Sequence, residues 1–552
     1  MHGSSKKGEE QKKNLGSPSS TYNSTLPFAT VNHGLTESSN SHFPFGMKKN
    51  GILRLYNQFP RCYHNIDEMT AQLPKIKQMG FNAVWINPIH VTGKKEVKRW
   101  YKNKGEMAVS GSIYAMADQE KFNLKFDVND DKIINYTKTA KENGLIPIFD
   151  LVLNQVAADT DALLAQAYAD CLAYKRNIKN KILWDDTLWF QYQDKDKCKR
   201  IVDELWKPFI KKYIVEYGFM GVRVDAVKHL AKHVELQREV YQFILDCCQQ
   251  IHQCRPIILG ELLDKNPVRF VKDLKRIGLT HINNSCFDAN FDEYARRNGK
   301  KFKGWNERDW LLKELGTLRQ IMFTDVEHSP VGGTVGYVGN HDKMSLAAKV
   351  EQEETGQQII QPENVWKMKE FLSCVALTSD SGWYMLAGDE FGIKVLNPLV
   401  FDFFPEGDSP FKISTCLEKW GSPIDLSSFI ASINYVLSRM PATQLEDWVD
   451  HIVFHEMPLV VVLRHSKSGG KALICVNYLD NQSLDIHQIM EAFMNTSFGQ
   501  FRPKLNGIFL VEEGKVEEYN SQCEELNVWK FGMEIDPEHS NSVDSSSLTV
   551  PQ

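Results

Sequence analysis

GFMGVRVDAV, residues 218–227, is apolar over most of its length and rich in Val. It reads as a short strand buried on both faces of a parallel sheet. Two charges interrupt it near its end, Arg223 and Asp225. They are two residues apart, and on a strand side chains at that spacing share a face. Carboxylates are expensive to bury unless they are paired. A lone Asp after a strand is best read as a helix cap or a solvated loop acid. The segment therefore gains meaning only if other strands end in the same way.

They do. Outward from this run, GILRLYNQF (51–59), FNAVWINPIH (81–90), LIPIFDLVLN (145–154), RPIILGELL (255–263), GTVGYVGN (333–340) and SGWYMLAG (381–388) have the same short, apolar, strand-like character. Amphipathic helical segments alternate with them, as in DEMTAQLPKIKQMG (67–80), which stops at Gly80. Strand–helix alternation over this length suits a TIM barrel or a doubly wound sheet. No GxGxxG or GxxxxGK[ST] turn follows any of the strands, so a nucleotide-binding sheet has no support. Asp150 and Asn154 close one strand, Arg223 and Asp225 another, Glu261 a third, and Asn340, His341 and Asp342 a fourth. Barrel enzymes collect their reactive residues at such ends.

The chain as a whole sets bounds on partners. Its 552 residues carry a net charge of −5 with acids and bases interspersed, which leaves no basic stripe for nucleic acid. No apolar run is long enough to span a bilayer. Residues 1–47 read as a disordered leader without the apolar core of a Sec signal, and 537–552 as a Ser-rich disordered tail. Eleven Cys without a CxxC pair fit reduced thiols better than a disulfide framework or a zinc site. A cytoplasmic location follows, with export by a non-Sec route as the alternative. The catalytic barrel is expected over 48–443. After it HIVFHEMPLVVVLRHS (451–466), GKALICVNYL (470–479) and FGQFRPKLNGIFLVEEGKVEEY (498–519) predict an antiparallel β-sandwich over 444–536.

Three acids and an Arg on separate strand ends fit glycosyl transfer. A retaining glycosidase needs one carboxylate as nucleophile and a second, with raised pKa, as acid and then base. A guanidinium beside the nucleophile favours its ionised form.

In their order along the chain these segments resemble the four short conserved regions of the α-amylase superfamily: DLVLNQ (150–155), GVRVDAVKH (221–229), GELL (260–263) and VGNHDK (338–343). GSIYAMADQEKFN (111–123) resembles that family's loop after the second strand, and WYMLAGDEFG (383–392) its eighth strand and the turn beyond. The resemblance covers about 51 to 536 and implies a (β/α)8 TIM barrel with a C-terminal antiparallel β-sandwich. It implies Asp225 as nucleophile, Glu261 as general acid/base and Asp342 as transition-state stabiliser. Arg223 would pair with the nucleophile, His341 would bind hydroxyls of the −1 sugar and Tyr114 would stack on it. Lys228 and His229 would face the leaving group. For Tyr114 a packed strand-end aromatic, and for His229 a polar loop residue, are equal readings. One departure stands out. The family's first region usually ends Asn-His, with the His on the −1 sugar; here it is Asn154-Gln155, and Gln cannot carry charge.

The resemblance implies a retaining α-glucan-active hydrolase acting on α-glucan or maltooligosaccharide, with a glucanotransferase or maltosyltransferase using the same residues as the alternative. A catalytically inactive glycan-binding barrel is a third reading, disfavoured because all three acids and the Arg are present. The loop 87–112 is long and basic; it could bind an acceptor, though a solvated barrel loop is the simpler account. No cofactor is required. Many relatives hold Ca²⁺ near the first region, where Asn154 and Asp159 could offer the oxygens that ion prefers, although no contiguous ligand loop is present.

Overall fold

The computed structural model describes residues 51–101, 105–177, 179–262, 278–284, 333–337, 339–342, 344–351, 359–379, 381–395, 412–420, 424–439, 448–454, 459–465, 471–477, 507–512 and 515–519. The leader 1–47 and the tail 537–552 lie outside the described residues.

Eight strands close a parallel barrel: β1 (Leu53–Gln58), β2 (Ala83–Ile86), β3 (Ile146–Leu151), β4 (Gly221–Val224), β5 (Ile257–Gly260), β6 (His281–Asn284), β7 (Gly333–Gly336) and β8 (Gly382–Leu386). Each pairs with its neighbours in sequence, and β1 closes the ring against β8, with Leu53 beside Gly382.

Side-chain alternation divides the barrel into two cores. Tyr56, Val84, Phe149, Val222, Val224, Ile258 and Trp383 pack outward against the helices. Leu53, Leu55, Ala83, Trp85, Ile146, Ile148, Ile257 and Leu259 fill the interior. Continuing the inward set by two residues reaches Asn57 on β1, Asn87 after β2, Asp150 on β3, Asp225 after β4 and Glu261 after β5, all buried. The same period of two that fills the barrel floor with aliphatic groups thus delivers polar groups to its C-terminal mouth.

The helices start and stop on recognisable signals. α1 (Ile66–Gln78) opens on Asn65, whose side chain accepts from the Glu68 N–H, while the His64 N–H donates to Glu68 Oε2 at 2.6 Å. α2 (Asp130–Glu142) opens on Asn129 with Asp130 and Asp131 in its first turn, where acids offset the helix dipole. α3 (Val234–His252) buries Leu236, Val240, Ile244 and Cys248 at helical spacing and ends on Gln253 in the left-handed region. α4 (Val365–Thr378) and α5 (Ser427–Ser438) close the helical ring.

Two long βα loops build walls over the mouth. Between β2 and α2, His90–Thr92 pairs with Met116–Phe122, and Val97–Tyr101 forms a hairpin with Gly105–Val109. Part of the basic loop 87–112 is therefore an ordered ribbon. After β3, Gln155–Ala157, Thr187–Phe190 and Leu172–Ala173 form a three-stranded sheet in that order.

In the C-terminal region the described residues contain one five-stranded sheet, β9 (Trp448–Phe454), β10 (Leu459–His465), β11 (Lys471–Asn477), β12 (Gly507–Glu512) and β13 (Lys515–Tyr519), lying against α4 and α5. Three of its pairings are antiparallel, as expected, and β11/β12 is parallel. The second layer of a sandwich would fall outside the described residues.

Candidate active site

Arg223 is the centre of the barrel mouth and is 1% exposed. Its Nη1 lies 2.9 Å from Asp150 Oδ1, 3.1 Å from Asp150 Oδ2 and 2.9 Å from Asp225 Oδ1. Its Nη2 lies 2.6 Å from Glu261 Oε1. Register explains the convergence: Arg223 is aligned with Asp150 on one neighbouring strand and with Leu259, two residues before Glu261, on the other. Trp85 and Tyr114 flank the guanidinium at 5.0 and 5.5 Å. Burial opposes its charge, but the surrounding acids hold its pKa well above the ordinary arginine value.

One cation faces three carboxyls, so the cluster is rich in acid. Burial, then the charges of Glu261, Asp150 and Asp342, push the Asp225 carboxyl well up against the pull of Arg223. Burial also raises Asp150, again against Arg223. The sequence suggested that the guanidinium keeps Asp225 ionised; it pulls that way, yet burial and the other acids outweigh it.

The Tyr114 hydroxyl organises the contacts around this cluster. It donates to Asp150 Oδ2 at 2.9 Å and lies 2.7 Å from His341 Nε2. Asn87 Nδ2 donates to the Tyr114 oxygen at 2.8 Å and lies 3.3 Å from His341 Nδ1. Burial, helped by the Arg223 charge, drives the His341 pKa well down, so the ring is neutral. Donor capacity then fixes its tautomer: Nδ1 accepts from Asn87 and Nε2–H donates to the phenol. Trp85 Nε1 donates to Asp150 Oδ2 at 3.2 Å, and Asn57 Nδ2 to Asn87 Oδ1 at 2.7 Å.

The turn after Asp225 is strained. Ala226 sits at φ 45, ψ 49, a left-handed conformation that costs a non-glycine residue about 1–2 kcal/mol. Several bonds hold it: the Ala226 N–H donates to Glu261 Oε2 at 3.0 Å, the Val227 N–H to the Glu261 carbonyl at 3.0 Å, and Asn154 Nδ2 to the Asp225 carbonyl at 2.9 Å. Strain over-determined in this way clusters at functional sites.

The other expected residues fall in different places. Asp342 is the least buried of the three acids, its side chain 36% exposed, with Oδ2 3.8 Å from His341 Nε2. Its N–H donates to Asn340 Oδ1 at 3.0 Å. Gln155 Nε2 donates to the Tyr114 carbonyl at 3.2 Å, so the residue that replaces the family's His braces the loop that carries the phenol. His229 stands edge-on to Trp184 and Trp189, with ring centroids 5.6 and 5.0 Å away. Burial, then the charges of Lys175 and Lys228, lower its pKa to about 4. Lys228 is exposed.

Of the suggested metal ligands, both are partly committed to protein groups, while Asp159 Oδ2 is buried without a hydrogen-bond partner. The Asn154 amide is turned to backbone carbonyls, and Asp159 Oδ1 accepts from the Lys94 N–H at 2.9 Å. Among the described residues no group of three or more His, Cys, Asp and Glu converges as ligands.

Sequence reasoning gave no role to Trp85, Asn57 and Asn87, and noted Asp150 only as a strand end. It also missed Asn283 on β6, 2% exposed, whose Oδ1 has no hydrogen-bond partner. The pairing of Leu259 with His281 puts Asn283 level with Glu261. Counting inward positions by twos from the apolar floor would have found the first four.

No family model matches the chain, and no curated protein matches it. Solved structures do. A maltogenic α-amylase from Thermotoga neapolitana aligns with a TM-score of 0.53 at 17% identity, covering 78% of this chain and 86% of its own. An α-amylase from Lactobacillus plantarum aligns with a TM-score of 0.52 at 16% identity, covering 77% and 87%. An α-amylase from Geobacillus thermoleovorans, solved with acarbose, aligns with a TM-score of 0.52 at 14% identity, covering 76% and 85%. At these identities the likeness is one of fold: the chain has the barrel architecture of the α-amylase-type enzymes.

Proposed function

We propose that this chain is a retaining α-glucan-active glycoside hydrolase of the α-amylase superfamily. The observation that carries the reading is the single guanidinium of Arg223 bonded to Asp150, Asp225 and Glu261 at the barrel mouth. Asp225 attacks the anomeric carbon while Glu261 gives its proton to the departing glycosidic oxygen, leaving a glycosyl-enzyme ester and a free sugar hydroxyl. Glu261 then takes a proton from water, whose oxygen displaces Asp225. Asp342, the acid most open to the cleft, holds hydroxyls of the distorted sugar. Asp150 and the neutral His341 fix the phenol of Tyr114 beside it.

A glucanotransferase is the second reading. Gln155 favours it: with its amide committed to the Tyr114 carbonyl, the −1 contacts differ from those of a family site that ends Asn-His. In that case a sugar hydroxyl replaces water in the second displacement, and the residues keep their roles.

Incubation with maltoheptaose followed by product chromatography separates the readings. Shorter sugars alone are the expected result of hydrolysis; a ladder running both up and down assigns transfer. Binding without turnover would overturn both in favour of an inactive glycan-binding barrel.

A further inference from the structure

The wall built after β3 carries a feature that the chemistry proposed above does not use. Trp184 and Trp189 stack at 5.5 Å with their planes 27° apart. Trp189 is closed in: it is 5% exposed, with Lys175 Nζ 4.8 Å from its ring centre and His229 edge-on at 5.0 Å. Trp184 is left open, at 44% exposed. Keeping so large an apolar face in water forgoes the free energy that burial would return.

The backbone holds this indole out against its own preference. Trp184 has φ 52, in the left-handed region that disfavours a bulky residue. Its carbonyl accepts from the Thr187 N–H at 3.1 Å and from the Thr187 hydroxyl at 3.0 Å. That hydroxyl oxygen accepts in turn from Trp189 Nε1 at 3.2 Å, so one threonine ties both indoles. On either side, the Leu183 N–H donates to the Lys175 carbonyl at 2.7 Å, and Lys95 Nζ from the loop between β2 and α2 donates to the Asp185 carbonyl. Strain kept in place by this many bonds is characteristic of groups set for a ligand.

The pair also has a defined place relative to the acids. His229 stands edge-on to both indoles and lies four residues after Asp225. The turn that carries it is bonded twice to Glu261, by the Ala226 N–H and the Val227 N–H. Glu261 serves the departing oxygen in the reaction proposed above, so the indoles stand on the leaving-group side. We propose that Trp184 is a stacking platform for a glucose ring in the departing half of an α-glucan chain, with Trp189 as its backing. The inference rests on the α-glucan reading of the site. The apolar face of a pyranose ring covers the open indole face. The surroundings suit a neutral ligand, since Lys175 lies over the backing ring and Asp185 and Asp186 directly follow Trp184, leaving no patch of one sign. If a sugar replaces water in the second displacement, the same platform receives the acceptor.

Binding and turnover test this separately on the full chain, with each variant checked for native circular dichroism. For binding, maltoheptaose is titrated calorimetrically into Asp225→Asn, where it should stay intact. Adding Trp184→Ala should weaken binding about tenfold, and adding Trp184→Phe about threefold or less. For turnover, α-maltotriosyl fluoride is the control, because its leaving group carries no sugar. Trp184→Ala alone should lower kcat/KM for maltoheptaose about tenfold more than for the fluoride. Equal losses on the two substrates would show a merely structural role and overturn the proposal. So would maltoheptaose binding that is absent or untouched by Trp184→Ala, or a Phe variant as weak as the Ala one. If the parent chain cleaves neither substrate while maltoheptaose binding still depends on Trp184, the platform stands and the glucan-cleaving reading falls. Cleavage of both substrates without dependence on Trp184 does the opposite.

Discussion

Three carboxylates share the guanidinium of Arg223, and the consequences are sharpest at Asp225. Its amide variant, Asp225→Asn, keeps the shape and a hydrogen-bond acceptor for Arg223 but has no nucleophilic oxygen. Turnover of maltoheptaose should fall by about a thousandfold or more. The melting temperature should hold or rise, because the variant removes a buried acid whose burial is unfavourable. Full activity in this variant would sink the assignment. Gln155 makes a subtler prediction. Its amide donates to the Tyr114 carbonyl, a bond of about 1 kcal/mol. Gln155→Ala and Gln155→Glu both lose the donor, so each should raise KM severalfold with a smaller effect on kcat. Steady-state kinetics in which only the Ala variant changed would show that the donor is not what matters.

At the scale of elements, the barrel depends on places where strands touch too closely for a side chain. A Cβ on Gly221 would lie 2.7 Å from the Ile257 carbonyl oxygen, and one on Gly382 2.5 Å from that of Leu53. Both obstacles are backbone and cannot swing aside, so Gly221→Ala should cost about 1–3 kcal/mol in urea unfolding. Because Gly221 begins β4, activity should fall with it. Most strands were legible in the sequence because parallel strands buried on both faces are continuous apolar runs. β6, His281–Asn284, was not: HINN has one apolar residue in four, and its place is set by pairing with β5 and β7. The ribbon Val97–Tyr101/Gly105–Val109 was hidden in a basic segment that reads equally as a solvated loop. The parallel β11/β12 pair was unreadable because alternation is the same in either strand direction. The acids stood out for a related reason, since charge at the end of an apolar strand demands an explanation. Asn57 and Asn87 did not, because Asn beside a strand, as in the segment NPIH, is also ordinary turn chemistry.

For the molecule as a whole, an acid outside the Arg223 cluster sets a pH dependence. Asp389, in the turn after β8, accepts from the Leu346 N–H at 3.1 Å through Oδ1, while its buried Oδ2 has no partner. Burial raises its pKa to about 7. The folded chain therefore binds this proton more tightly than the unfolded chain. Its contribution to stability is complete below about pH 4 and is lost as pH rises to about 7, a span worth roughly 4 kcal/mol. Asp389→Asn keeps the acceptor for Leu346 and removes the titration. Urea unfolding at several pH values should show the variant gaining on the parent across that window, and parallel curves would refute the assignment. Leu346 opens the helix that follows Asp342, so the proton on Asp389 supports the segment that presents that acid. The last consequence comes from the short strand that carries Gln155. It is laced to the strand of Trp189, with the two residues directly opposite, while the Gln155 amide grips the loop of the phenol beside Arg223. The wall sheet after β3 and the reaction centre thus share one strip of backbone, so a shift in the position of Trp189 is passed through Gln155 to the loop of Tyr114.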